Sequence, residues 1–285
     1  MRQKGLSTMN RLTLEKRTQI IGLLVEGNSL RATSRLADVS INTVTKLLVE
    51  VGAACQKYHS EHVQNIKSKR VQCDEIWSFV YGKDKNLPQN LRGKFGIGSI
   101  WTWVALDADS KLAISWLVGN RDAAYAHTFM QDVAARLSNR VQLTTDGLKA
   151  YLEAVEGAFG DDIDFAQLVK LYGPSMEGEH RYSPAECTGA QKEKVTGSPK
   201  RKYISTSFVE RQNLTMRMNM RRFTRLTNGF SKKVENHALA VALHFMYYNF
   251  VRIHKTLRVT PAMEAGLAKK PWEIEDLARL LEKGN

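Results

Sequence analysis

Three runs rich in Val, Ile, Trp and Phe follow one another between residues 71 and 120: VQCDEIWSFVYG, SIWTWVALDAD and KLAISWLVGN. Turn-forming residues separate them, and DADSK at 107–111 has the composition of a hairpin turn, so the stretch predicts a meander of three strands. Beyond it the period changes. RDAAYAHTFMQDVAARLS predicts a helix, VQLTTDG a short buried strand, LKAYLEAVEGAF a second helix and IDFAQLVKLY a fifth strand. Trp77, Trp101, Trp103 and Trp116 lie within the strand patterns and are expected in the core.

The order β-β-β-α-β-α-β, followed by helices, is a ribonuclease-H-like succession in which antiparallel strands lead into a parallel segment. Residues 173–202, rich in Gly, Pro, Ser and charge, predict a long loop or insertion, and residues 203–225 and 231–250 predict two helices. Ahead of the strands, residues 1–55 read as three helices, with Ser29 capping the second and Ser40 or Asn42 the third. That pattern resembles a helix-turn-helix whose third helix offers Asn42, Thr43, Thr45 and Lys46 to DNA. The expected class is therefore α/β, with an all-α helix-turn-helix domain (1–55), a linker or extended helix (56–70), a catalytic domain (71–268) and a C-terminal helix (269–285).

Charge narrows the partner. The chain carries 42 Lys and Arg against 29 Asp and Glu, a formal net charge of +13. Residues 1–70 are net +7 and residues 192–233 net +10, while the remainder is net acidic. Two separate basic blocks favour a nucleic acid partner. No apolar run is long enough to span a membrane and the N-terminus lacks a secretory core, so a cytoplasmic, nucleoid-associated protein without a membrane partner is expected. Cys55, Cys73 and Cys187 are far apart and form no C-x-x-C pair, which argues for reduced thiols rather than a disulfide framework or zinc knuckle. GKFGIG at 93–98 lacks the spacing of a nucleotide-binding loop, and no nucleotide cofactor is implied.

Three carboxylates occupy telling positions. Asp74 lies inside the first strand, Asp146 ends the short strand, and Glu210 stands with five arginines in TSFVERQNLTMRMNMRRFTR, residues 206–225. Acids so placed are costly to bury unless cations neutralise them, and hard oxygen ligands suit two Mg²⁺ or Mn²⁺ ions of the kind that drive in-line phosphoryl transfer. At about 100° per residue, a helix over this stretch puts Asn213, Arg217, Arg221 and Arg225 on the side of Glu210, with Met216, Met220 and Phe223 opposite. Glu75, beside Asp74, stays an alternative ligand, because both faces of a central sheet can be buried. Asp107 and Asp109 are assigned to the turn.

The stretches CDEIWSFV, LTTDGLKAY, SFVERQNLTMRM and YYNFVRIHKTLRVTPAMEAGL, taken in this order, resemble the DDE transposases of bacterial insertion sequences, and among them the IS1-like group. The resemblance spans about residues 70–268. It implies a ribonuclease-H-like core, a Mg²⁺ (or Mn²⁺) site made by Asp74, Asp146 and Glu210, and 3′-OH attack on DNA phosphodiesters. The partners it implies are double-stranded DNA, as terminal inverted repeats and target, and further copies of the chain in a homo-oligomer. The rival readings are a non-catalytic DNA-binding repressor or domesticated transposase, and a nuclease of the same fold that hydrolyses without joining strands. The seven histidines include no His-hydrophobic-His pair, which disfavours a rolling-circle nuclease.

Overall fold

The computed structural model describes residues 12–173, 187–224 and 227–282. β1 (Arg70–Val80), β2 (Gly98–Asp107) and β3 (Ala113–Gly119) pair antiparallel in chain order, as the meander predicts. Asp107 serves the turn: its carboxylate accepts from Ser68 Oγ (2.9 Å) and from the N–H groups of Asp109 (3.1 Å) and Ser110 (3.2 Å). After α4 (Ala123–Arg136), β4 (Gln142–Asp146) lies parallel to β1 on the side away from β2. α5 (Ala150–Phe159) then leads to β5 (Asp164–Tyr172), parallel to β4. Of the four tryptophans expected in the core, Trp103 is fully buried against Phe129 and Tyr151 and Trp116 packs half-buried against the core, while Trp77 and Trp101 are half-buried outside it.

A sixth strand, β6 (Cys187–Thr196), corrects the expected loop over 173–202 and pairs antiparallel with β5, giving the sheet order β3-β2-β1-β4-β5-β6. Its sequence, CTGAQKEKVT, has no apolar alternation because it is an exposed edge strand whose place rests on backbone hydrogen bonds. Residues 174–186 of that expected loop lie outside the described residues.

The N-terminal helices are α1 (Leu14–Val25), α2 (Leu30–Leu36) and α3 (Ile41–His62). Each begins at a side-chain cap, where Thr13, Ser29 and Ser40 accept the N–H groups of Lys16 (3.2 Å), Ala32 (3.1 Å) and Thr43 (3.0 Å). α3 continues through residues 56–62, so the first part of the expected linker is helix. The remaining helices are α6 (Ser207–Asn219), α7 (Val234–Met246), α8 (Pro261–Glu264) and α9 (Ile274–Arg279). α3 packs along α7 so tightly that a Cβ on Gly52 would run into the Leu239 carbonyl oxygen. α1 packs on α9, and buried side chains form one continuous core from Ile20 through Trp103 to Leu280. The described part of residues 1–55 thus shares its core with the sheet region, because helices this short need a neighbour's apolar surface to stay folded.

Two expected helices end early. α7 gives way at Met246 to a π-helical turn, Tyr247–Val251, which turns Asn249 toward the free edge of β3. The Asn249 amide accepts the Ala113 N–H (3.0 Å) and donates to the Ala113 carbonyl (2.9 Å), completing backbone pairing that no further strand supplies. α6 stops at Asn219 rather than 225: Met220 is extended and Arg221–Phe223 form a 3₁₀ turn. The cause is packing, since Arg222 turns inward to donate to Ser231 Oγ (2.9 Å) and the Asn236 carbonyl (3.1 Å) while Met220 and Phe223 enter the core.

Candidate active site

Strand order brings the first two carboxylates together. β1 and β4 are parallel neighbours with Gln72 opposite Thr144, and continuing that register sets Asp74 beside Asp146, where β4 ends. Side chains alternate along β1, so Gln72 and Asp74 face one side of the sheet and Glu75 the other. On the first side, the Gln72 side-chain oxygen accepts the N–H groups of Phe208 (2.9 Å) and Val209 (3.2 Å). These are orphan donors of the first turn of α6, and Gln72 therefore fixes that helix end to β1. One turn along, Asn213 donates from Nδ2 to Asp74 Oδ2 (2.9 Å). Glu210 sits between, held by Thr206 Oγ1 and by Lys170 of β5, whose Nζ is 2.6 Å from Oε2.

Glu75 is buried on the opposite face, where Tyr151 of α5 donates to Oε1 and Arg121 donates from Nε to Oε2 (2.9 Å). Arg121 also reaches Asp146 Oδ2 (3.3 Å) and lies over the Trp101 ring at 4.8 Å. The other Asp146 oxygen accepts the Leu148 N–H (3.0 Å), while Gln167 holds the Asp146 carbonyl (2.9 Å). Asp74, Glu75 and Asp146 each present an oxygen within 4.8 Å of the others. Glu210 stands outside that spacing, so Glu75, left open by the strand pattern, joins the inner cluster.

The cluster is under electrostatic load. Burial, then the charges of Asp146 and Glu210, raise the Asp74 carboxyl to about 6 against the opposing bond from Asn213. Burial, Asp146 and Asp74 raise Glu75 to about 7, although the Tyr151 hydrogen bond and the Arg121 charge pull it down. Burial likewise pushes the Cys73 thiol up, which keeps it an inert core group beside the acids. Among the described residues, Arg121 and Lys170 form ion pairs with this group of four carboxylates. A divalent ion fits this donor set, all hard oxygen and, once the four acids are ionised, more negative than its paired cations.

The structure distributes over three places the residues expected to contact DNA, which are Asn42, Thr43, Thr45 and Lys46 of the third helix and the row Asn213, Arg217, Arg221 and Arg225 that would grip phosphates beside Glu210. Asn213 is inside the acid site, and Arg217, half-buried, receives Thr224 Oγ1 on its carbonyl (3.2 Å). Arg221 is exposed but lies past the end of α6, off the row the helix pattern projects, and Arg225 is outside the described residues. At the start of α3, Asn42 and Lys46 are exposed, Thr43 bonds Ser40 Oγ (2.8 Å), and Thr45 Oγ1 donates to the Ile41 carbonyl (2.8 Å). Sequence reading missed Arg121, Tyr151, Lys170 and Gln72. Only Gln72 left a signal, as a polar residue two places from Asp74 on the same strand face.

No family model matches this sequence, and no curated protein does. Solved structures give low-scoring fits. A pre-cleavage Mos1 transpososome is 12% identical over 56% of this chain and 61% of the other, with a TM-score of 0.22, so this chain spans less than two thirds of that protein. A piggyBac transposase synaptic complex with hairpin DNA is 11% identical over 98% of this chain and 73% of the other, with a TM-score of 0.40. A Mos1 strand transfer complex is 12% identical over 85% and 79%, with a TM-score of 0.23.

Proposed function

We propose that the chain is a DNA transposase that uses Mg²⁺ or Mn²⁺ to cut element ends and join their 3′-OH groups to target DNA. One observation carries the reading: Asp74 and Asp146 lie side by side on parallel strands, with Glu75 and Glu210 flanking them and, among the described residues, Arg121 and Lys170 as their ion-paired cations. Buried acids left short of charge cost stability, and such sites are retained where function needs them. The IS1-like resemblance of the stretches around Asp74, Asp146 and Glu210 points the same way.

In this reading Asp74 and Asp146 hold the ion, with Glu75 or Glu210 completing its ligands. A bound divalent ion supplies positive charge that activates an attacking oxygen and stabilises a leaving one. The chain's own work is positional. Gln72 fixes the start of α6, Asn213 orients Asp74, and Arg121 and Lys170 stand ready as donors to a phosphate that enters beside the acids. The exposed start of α3, with Asn42 and Lys46, would read the terminal inverted repeats of a DNA duplex, and two copies of the chain would hold the two ends.

The test incubates wild type and the Asp74→Ala, Glu75→Ala, Asp146→Ala and Glu210→Ala variants with Mg²⁺ and labelled DNA from the flanks of the gene, then resolves cut and joined products. Joining by wild type, with loss in the Asp74, Asp146 and at least one glutamate variant while DNA binding persists, is the expected result. Specific binding without cutting by wild type would favour a DNA-binding repressor instead.

A further inference from the structure

A second cleft, lined by basic residues, lies away from the acids. It lies between α1–α3 and residues 219–222 and 228–232, has a volume of about 770 Å³, and sits at the far end of α6. Glu210 and Asn219 are nine residues apart on that helix, about 14 Å at 1.5 Å per residue. Arg31, Arg221, Arg222 and Lys232 line it, and none of the described residues in its wall is acidic. Arg222 is the telling member: it is half-buried and bonded only to the neutral Ser231 hydroxyl and the Asn236 carbonyl, with no carboxylate among the described residues. A guanidinium withdrawn from water without a counter-charge leaves its charge uncompensated.

His244, buried in the same wall, bonds Gln212 through Nε2 (3.4 Å) and leaves Nδ1 without a hydrogen-bond partner. Burial lowers its proton affinity to about 3, so the ring is neutral. The cleft also presents the Asn42 and Asn228 side chains, amides that both donate and accept as base edges do.

We propose that this cleft binds a phosphate-bearing nucleotide unit, its phosphate on Arg31, Arg221, Arg222 and Lys232 and its base edge on Asn42 and Asn228. The volume suits a ligand of that size. The same chemistry comes from a free mononucleotide or from one unit of an unpaired strand, and the experiment separates them.

Fluorescence anisotropy with a labelled, 5′-phosphorylated oligothymidylate, in EDTA so that the acid cluster takes no part, measures binding to the full chain. Arg31→Ala/Lys232→Ala should weaken it about tenfold, while the charge-matched Lys57→Ala/Lys270→Ala pair, exposed and outside the cleft, should change it less than twofold. Competition by deoxyadenosine monophosphate identifies a free nucleotide as ligand, and competition only by unlabelled oligonucleotide identifies a strand. Should the cleft pair lower the melting temperature, Lys232→Ala alone carries the prediction at about threefold. Equal loss in both pairs, no loss in the cleft variants, or no binding by wild type would overturn the proposal.

Discussion

Glu75→Gln tests the electrostatics of the site without requiring any activity. Glu75 is buried, and its carboxyl rises from 4.5 to about 7, chiefly through burial and the neighbouring Asp146 and Asp74 charges. The folded state therefore holds a proton that the unfolded chain has lost between about pH 4.5 and 7. By linkage, stability contributed by this group is full below that window and falls as pH rises through it, by roughly 3 kcal/mol once ionisation is complete. Glutamine removes the titration. Its oxygen still accepts from Tyr151, but its amide group faces the Arg121 Nε–H donor, a clash of donors that costs on the order of 1 kcal/mol. The variant should accordingly be about 1 kcal/mol less stable than wild type at pH 4.5 and about 2 kcal/mol more stable at pH 8. Urea titrations followed by tryptophan fluorescence in EDTA, from pH 4.5 to 8, give both numbers as the difference between variant and wild type at each pH, in which the titration of the buried histidines cancels. A stability–pH profile parallel to that of wild type would refute the account of Glu75 as a strained buried acid.

The charge deficit further predicts that millimolar Mn²⁺ raises the melting temperature at pH 8, where the acids are ionised, more than at pH 5; an equal rise at both would mean the ion binds elsewhere. Asp74→Ala and Asp146→Ala should abolish that rise. Gly52→Ala should destabilise the fold by about 1–3 kcal/mol, read by urea titration, since its methyl group meets the Leu239 backbone across the α3–α7 crossing. Gln72→Ala should cost about 1–2 kcal/mol by losing the acceptor for two N–H groups at the start of α6. It should also lower strand joining with Mg²⁺ more than it lowers DNA binding, because Glu210 and Asn213 ride on that helix end; a parallel drop in both would show a global effect instead.

Much of the fold was legible because the pattern of apolar residues is a local property. Trp103, Leu106, Ile114 and Leu143 alternate with polar neighbours or sit in short apolar runs, and such spacing leaves few options but strands with a buried face. Caps at Ser29 and Ser40 are equally local, a hydroxyl within one turn of the N–H it accepts. Asp74 and Asp146 stood out for the same reason, as acids inside or ending strands. β6 was not legible: an exposed edge strand needs no apolar pattern, only a neighbour with free backbone groups, which β5 supplies.

What tertiary structure alone decided lies where distant residues meet. The end of α6 at Asn219 follows from Arg222 turning in to Ser231 and Asn236, a contact no helical period anticipates, and it removes Arg221 from the row that the period projects. Alternation put Asp74 and Glu75 on opposite faces but could not say what each face met. Packing supplied Asn213 and the Gln72-anchored helix on one side, Tyr151 and Arg121 on the other. Sequence determines which groups are acidic, basic or apolar and how each segment is disposed to fold. Proximity between segments tens of residues apart sets desolvation and charge pairing, and those determine which acids are strained and which cations answer them.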